Sequence, residues 1–246
     1  MSSSDRSPIV DVRHLSKYYG PFVAVDDVSF GIPQGEIVAL LGPNGAGKTT
    51  IMRVLTGYLA PSSGTASVAG FDAQRERLAS AAAIGYLPEN GPLYLDMTPI
   101  EALRFFGEAR GLSRERLRER IDAVADRCDI RPILDKPIGK LSKGLRQRVG
   151  MAQALLHDPP VRIMDEPTAG LDPIQIRDFR EQVRELGRDK TLLVSTHILQ
   201  EVDAIADRVL VIHRGRLVFD GTPKELAGRG SMEQYFYELT RDEVAG

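Results

Sequence analysis

The chain has 246 residues, 42% hydrophobic and 27% charged, with a formal net charge of -2. That length supports one substantial core, or a core with a small subdomain, and the near-neutral balance excludes a general electrostatic pull towards nucleic acid or anionic lipid. The one cysteine, Cys128, rules out an internal disulfide and suits a reducing compartment, residues 1–8 lack a signal peptide's apolar core, and no apolar run reaches membrane-spanning length.

In chain order, residues 8–41 are read as short strands, with turns at Gly20-Pro21 and Gly35 and β-type apolar positions at Val23, Val25, Val28 and Phe30. The run 37–41 has the continuous apolar character of a strand buried on both faces. It leads into Gly42, Pro43, Asn44, Gly45, Ala46, Gly47, Lys48, Thr49 and Thr50, which fit G-x-x-x-x-G-K-[ST]. Helical spacing then turns Ile51, Val54, Leu55, Tyr58 and Leu59 inward. Strand, Gly-rich loop and helix together make a phosphate cradle. Gly45 and Gly47 let the backbone approach phosphate oxygens, and the helix N-terminus offers unpaired N–H groups with a partial positive charge. Lys48 is expected at the β- and γ-phosphates and Thr49 on Mg²⁺. The expected ligand is a nucleoside triphosphate.

Residues 61–64 read as a turn, 66–68 as a short strand, and 84–87 as a strand stopped by Pro88. Helical character follows from 98 to 157. Thr98 and Glu101 form a capping box with Pro99 in the first turn, Gly111 supplies the stop, and Ser113 caps the next helix. The Arg-rich stretch 114–120 reads as a solvated face with i,i+3 ion pairs to glutamates. Leu117, Ile121, Val124 and Cys128 share one helical face, which makes Cys128 a core thiol. The alanine-rich helical stretch over 141–157 turns Leu145, Val149, Ala152, Leu155 and Leu156 inward. Strand character returns at 161–165, 191–195 and 209–212. Asp172-Pro173 starts a helix that buries Ile176, Phe179, Val183 and Leu186. A hairpin at Arg214-Gly215 and capping boxes at Thr222/Glu225 and Ser231/Gln234 complete the chain. Alternating strands and helices argue a parallel α/β core, with residues 89–157 as a helical insertion.

A phosphate loop alone fits kinases, GTPases and motor ATPases equally. Asp165 and Glu166 narrow the choice. An aspartate ending a buried strand beside the phosphate-loop strand can hold Mg²⁺, and the next carboxylate then faces the space where water attacks the γ-phosphorus. No Asn-Lys-x-Asp motif for guanine is present.

These residues resemble the ATP-binding subunit of ATP-binding cassette transporters over nearly the whole chain. The motifs come in the family's order: Tyr19 at the adenine-stacking position, 42–50 as phosphate loop, Leu141-Ser142-Lys143-Gly144-Leu145 at the signature, Asp165-Glu166, Asp172 in the loop after them, and His197 at the switch. The resemblance implies a P-loop NTPase α/β core over 1–88 and 158–246. Its sheet is mixed but largely parallel and packed with helices, joined by an N-terminal antiparallel β subdomain and by a helical signature subdomain inserted over 89–157. It also implies that Ser142 and Gly144 complete the ATP site of a second subunit, giving a head-to-tail homodimer. His197 then orients Glu166, and a separate multi-span permease is the membrane partner. The chain is expected to be cytoplasmic, peripheral on the inner face of the cell membrane, with ATP and Mg²⁺ as its cofactors and no nucleic acid partner. The alternative is a soluble cassette ATPase acting on nucleic acid or ribosomes.

This sequence departs from the family pattern at four places. Glu89 stands where glutamine is usual, and only an intervening Mg²⁺ relieves its repulsion of the γ-phosphate. Lys143 and Leu145 replace glycine and glutamine in the signature. Arg162 enters an otherwise apolar strand and is expected to snorkel outward. Residues 84–97 resemble the exporter branch associated with gliding motility and multidrug or polysaccharide export.

Overall fold

The computed structural model describes residues 7–228 and 231–241. Two sheets organise them. The first is antiparallel, in the order β2 (Phe22–Ile32), β1 (Val10–Tyr19), β4 (Ser63–Val68), β5 (Phe71–Asp72). The second has six strands in the order β10 (Arg216–Gly221), β9 (Arg208–His213), β3 (Ile37–Leu41), β8 (Thr191–Thr196), β7 (Val161–Met164), β6 (Ile84–Leu87). All its neighbours pair in parallel except β10, which returns antiparallel on β9 through the hairpin at Arg214 and Gly215.

All five residues of β3 are buried, and their alternation divides two cores. Val38 and Leu40 pack with β1, β2 and α1 (Lys48–Leu55), while Ala39 and Leu41 pack with Val202, Val209 and Leu226. Each such side chain contributes about 1.5–3 kcal/mol when fully removed from water. A third core joins the helices α3 (Pro99–Ala109), α4 (Arg114–Arg127) and α5 (Lys143–Leu155) to the sheet through Leu87, Met164 and Val194. Cys128 lies wholly inside it, where burial pushes its thiol up to about 12. The remaining helices are α2 (Arg77–Ala82), α6 (Pro173–Gly187), α7 (Leu199–Ile205), α8 (Pro223–Ala227) and α9 (Met232–Thr240).

The local signals form as read. Thr98, Thr222 and Ser231 make capping boxes and Ser113 caps α4. Arg116 and Glu119 pair at 3.1 Å on the solvated face of α4, whereas Arg120 turns inward to donate to the Leu155 and Leu156 carbonyls.

Several expectations need correction. β1 and β2 are long strands of 10 and 11 residues, because bulges near Val12, Leu15 and Lys17 interrupt the alternation without ending the ladder. β4 begins at Ser63, inside the expected turn. Tyr58 is 76% exposed, since α1 ends at Leu55 and leaves it out of helical phase. Ile176 and Leu145 are only partly buried. Arg162 does not snorkel: it is 1% exposed in β7, and its Nη1 donates to the Leu186 carbonyl at 2.7 Å. The carbonyl end of α6 replaces water there, yet burial still pushes the guanidinium down to about 10. Finally, β7 is not beside β3, because β8 lies between them.

Candidate functional site

The phosphate loop leaves β3 and enters α1 at Gly47, whose φ of 109° and close approach to the Ala24 carbonyl exclude a side chain. Gly45 also takes a positive φ, 80°, but a Cβ there would meet no protein atom, so its face is open. No side chain caps α1 and no acidic residue lies in its first turn. Its N-terminal amides are therefore available to an anion. Lys48, 5% exposed, donates to the Gly42 carbonyl at 2.7 Å and the Pro43 carbonyl at 3.3 Å. Its Nζ also lies 3.2 Å from Glu166 Oε1.

Asp165 and Glu166 follow the last residue of β7. Although β8 separates that strand from β3, both strands end at the same edge, and Asp165 reaches the loop. Thr49 Oγ1 donates to Asp165 Oδ1 at 3.3 Å, and Ser195 Oγ donates to the same oxygen at 2.6 Å. Ser195 also accepts from the Glu166 amide at 2.8 Å, fixing the carboxylate pair from the neighbouring strand. Glu166 has a φ of 43°, a left-handed conformation unusual for a side-chain-bearing residue and concentrated at functional sites. His197 Nδ1 is 2.9 Å from Glu166 Oε2. Glu166 Oε1 is buried without a hydrogen bond, its ion pair with Lys48 falling short of that geometry. That oxygen faces the Lys48 ammonium of the loop.

These groups surround a cleft of about 450 Å³, lined by Tyr19, Phe22, Ala24, residues 44–50, Glu89, Glu166, Ala169 and His197. At one end, Tyr19 and Phe22 expose aromatic surface, and Lys17 Nζ sits 5.3 Å from the centroid of the Tyr19 ring. Thr49 and exposed Glu89 also line the cleft, and Asp165, buried and not itself on the lining, accepts from the Thr49 hydroxyl behind it. This donor set suits Mg²⁺, which prefers oxygen ligands and takes few of them from protein when it arrives with phosphates. Among the described residues no cluster of three or more His, Cys, Asp or Glu forms a dedicated metal cage.

Ser142, Gly144 and Asp172 do not line this cleft; they meet elsewhere. Ser142 caps α5 by accepting from the Leu145 amide, and Asp172 caps α6 by accepting from the Ile174 and Gln175 amides. A Cβ on Gly144 would meet the Gln175 side chain at 2.7 Å, so the two helix starts pack tightly. Lys143, at the position where the family pattern has glycine, folds over Gly170. The signature helix touches the first site through Gln147, whose Nε2 donates to the Pro167 carbonyl at 3.0 Å.

Sequence reasoning missed Ser195, Phe22 and Gln147. Ser195 lies near the end of a buried strand, two residues before His197, which is a usable signal, and Phe22 lies one turn from Tyr19. Nothing in the spacing marks Gln147.

The family model described as ABC transporter matches residues 25–169. The ABC transporter ATP-binding protein NatA of Bacillus subtilis is 43% identical over 206 residues, covering 82% of this chain and 83% of that protein. A probable multidrug ABC transporter ATP-binding protein of Escherichia coli, YbhF, is 33% identical across 95% of this chain but only 42% of its own length. A solved structure of an ATP-binding subunit of an ABC transporter superposes with a TM-score of 0.85 at 31% identity, covering 94% of this chain and 99% of that one.

Proposed function

The chain belongs to the ABC transporter family as an ATP-binding subunit, an ATPase that energises transport, and we propose the following roles for its residues. The amides of 42–50 and the N-terminus of α1 hold the β- and γ-phosphates, with Lys48 turning from the loop carbonyls to the phosphate oxygens. Tyr19 stacks on adenine. Thr49 and Asp165 would hold the Mg²⁺ that accompanies ATP, with Glu89 as a further oxygen ligand; the ion would supply neutralisation of phosphate charge. Glu166 accepts a proton from water as the water oxygen bonds to the γ-phosphorus and the bond to the bridging oxygen of ADP breaks. His197 keeps Glu166 in place and offers its other ring nitrogen to the γ-phosphate.

The observation that carries this reading is the single cleft in which the phosphate loop, Glu166, His197 and Tyr19 meet. Ser142, Gly144 and Asp172 stand outside it, which supports assigning them to the ATP held by a second copy in a head-to-tail homodimer. Closure of that dimer drives a separate permease, and the subunit works at the cytoplasmic face of the membrane. Among the described residues no helix is long and apolar enough to cross a membrane. The multidrug wording of the YbhF relative favours export. Purification of the chain from a detergent extract of its own cells tests the partner: a multi-span protein whose addition raises ATP turnover is expected. Ribosomal RNA or DNA in its place would contradict the reading.

A further inference from the structure

The parallel ladder between β7 and β8 ends at the pair Met164 and Val194. Glu166 and His197 therefore stand beyond the last backbone bonds that hold their strands together. Side chains must tie the two segments, and Glu166 adds the demand of a left-handed backbone. One tie is Ser195, already described. The other is Glu201 in the first turn of α7, 2% exposed. Its Oε1 accepts from Thr168 Oγ1 at 2.5 Å, two residues after Glu166. Its Oε2 accepts from Thr196 Oγ1 at 2.6 Å, the residue before His197. Thr196 Oγ1 in turn accepts from the Ile198 amide at 3.0 Å, so the turn carrying His197 is fixed on both sides. With the bond from His197 Nδ1 to Glu166, these contacts close a ring through both segments.

We propose that Glu201 is a positioning residue for hydrolysis, clamping the Glu166 segment to the His197 segment. A carboxylate suits the task because each of its oxygens can accept one hydroxyl, and hydrogen bonds to such a group are short and strong. A buried network of this kind holds geometry only while every member is satisfied. Glu201 itself does not line the cleft, so it acts through the residues it holds. The inference rests on the roles given above to Glu166 and His197.

The test compares Glu201→Gln, His197→Ala and the double variant in steady-state ATP hydrolysis, with nucleotide affinity measured separately. Misplacement of reacting groups by about 1 Å costs on the order of 10²-fold. Glu201→Gln is therefore expected to lower kcat by about 10- to 100-fold while ATP affinity stays within about twofold, since it removes positioning and not phosphate contacts. Added to His197→Ala, it should cost less than about a further twofold, because both act on one unit. Should Glu201→Gln fail to fold, Thr168→Val, which removes one arm of the clamp, carries the same expectation. Normal turnover in Glu201→Gln beside a slow His197→Ala would overturn the clamp alone. An equal loss from Glu201→Gln in both backgrounds would also overturn it, by showing a general structural effect. Normal turnover in His197→Ala would remove the reading of His197 and the clamp together.

Discussion

Two helix N-termini in this molecule, those of α1 and α5, are finished in different ways. That of α1 is left open: no side chain caps it, no acidic residue enters its first turn, and Lys48 stands at its first position. It forms the floor of a cleft that the same chain lines with Glu166, His197 and Tyr19. That of α5 is closed on itself, its first amides partly satisfied by Ser142, and it packs against Gln175 and Gly170 of its own chain. A Ser142 hydroxyl that accepts from the Leu145 amide can still donate outward. On the proposed reading, the chain lines the α1 half-site with its own residues, whereas α5 serves the ATP held by a second copy.

The strongest way to break the comparison is at Glu166. Glu166→Gln keeps the shape of the cleft but removes the proton acceptor, so turnover should fall by on the order of 10²- to 10⁴-fold with ATP binding retained. Phosphate release assays decide it, and normal turnover would remove chemistry from the α1 cleft. A smaller effect is expected at the aromatic end. Tyr19→Ala should weaken ATP binding by about 5- to 150-fold, from loss of a stacking contact worth roughly 1–3 kcal/mol, while Tyr19→Phe stays near wild type. The same loss is expected in a Ser142→Arg background, because Tyr19 belongs to the chain's own half-site. A loss that depends on Ser142 would blur the distinction between the two helix starts.

The smallest effect concerns the joint between the two regions. His157, just after α5, has Nε2 3.0 Å from the Ile84 carbonyl of β6 and 3.1 Å from Nη1 of Arg110, just after α3. Burial, helped by Arg110, pushes its imidazole down to about 4 from 6.5. Between these values the unfolded chain binds the proton and the folded chain does not, so this contribution is complete above pH 6.5 and declines as pH falls towards 4. Thermal melts across that window should show a shallower pH slope for His157→Gln than for the wild type. Equal slopes would place the titration elsewhere.

The parts legible in the sequence were those written in short spacings: the phosphate loop, the capping boxes, the Asp165-Glu166 pair and the two-residue hairpin. Each depends on groups a few residues apart, so the pattern contains its own geometry. Strand order does not. β8 enters between β3 and β7 because long connections allow either neighbour, and no local pattern distinguishes them. Arg162 was misread for a related reason. Its partner is the Leu186 carbonyl, 24 residues away, and a charged side chain in an apolar strand gives no sign of a helix end waiting above it. The ties made by Ser195, Glu201 and Gln147 are likewise contacts between distant segments. The left-handed backbone at Glu166 carries no glycine to announce it.

The claim that α5 supplies half of another copy's site is tested most directly by mass in solution. Glu166→Gln protein, which should hold ATP without consuming it, is followed by sedimentation with and without ATP and Mg²⁺, alone and combined with Ser142→Arg. The account predicts one chain's mass without nucleotide, twice that mass with ATP, and a return to one chain in the double variant although ATP remains bound. A Glu166→Gln protein that stays at the mass of one chain with ATP bound, or a double variant that dimerises equally well, would contradict it and leave Ser142 as an ordinary helix cap.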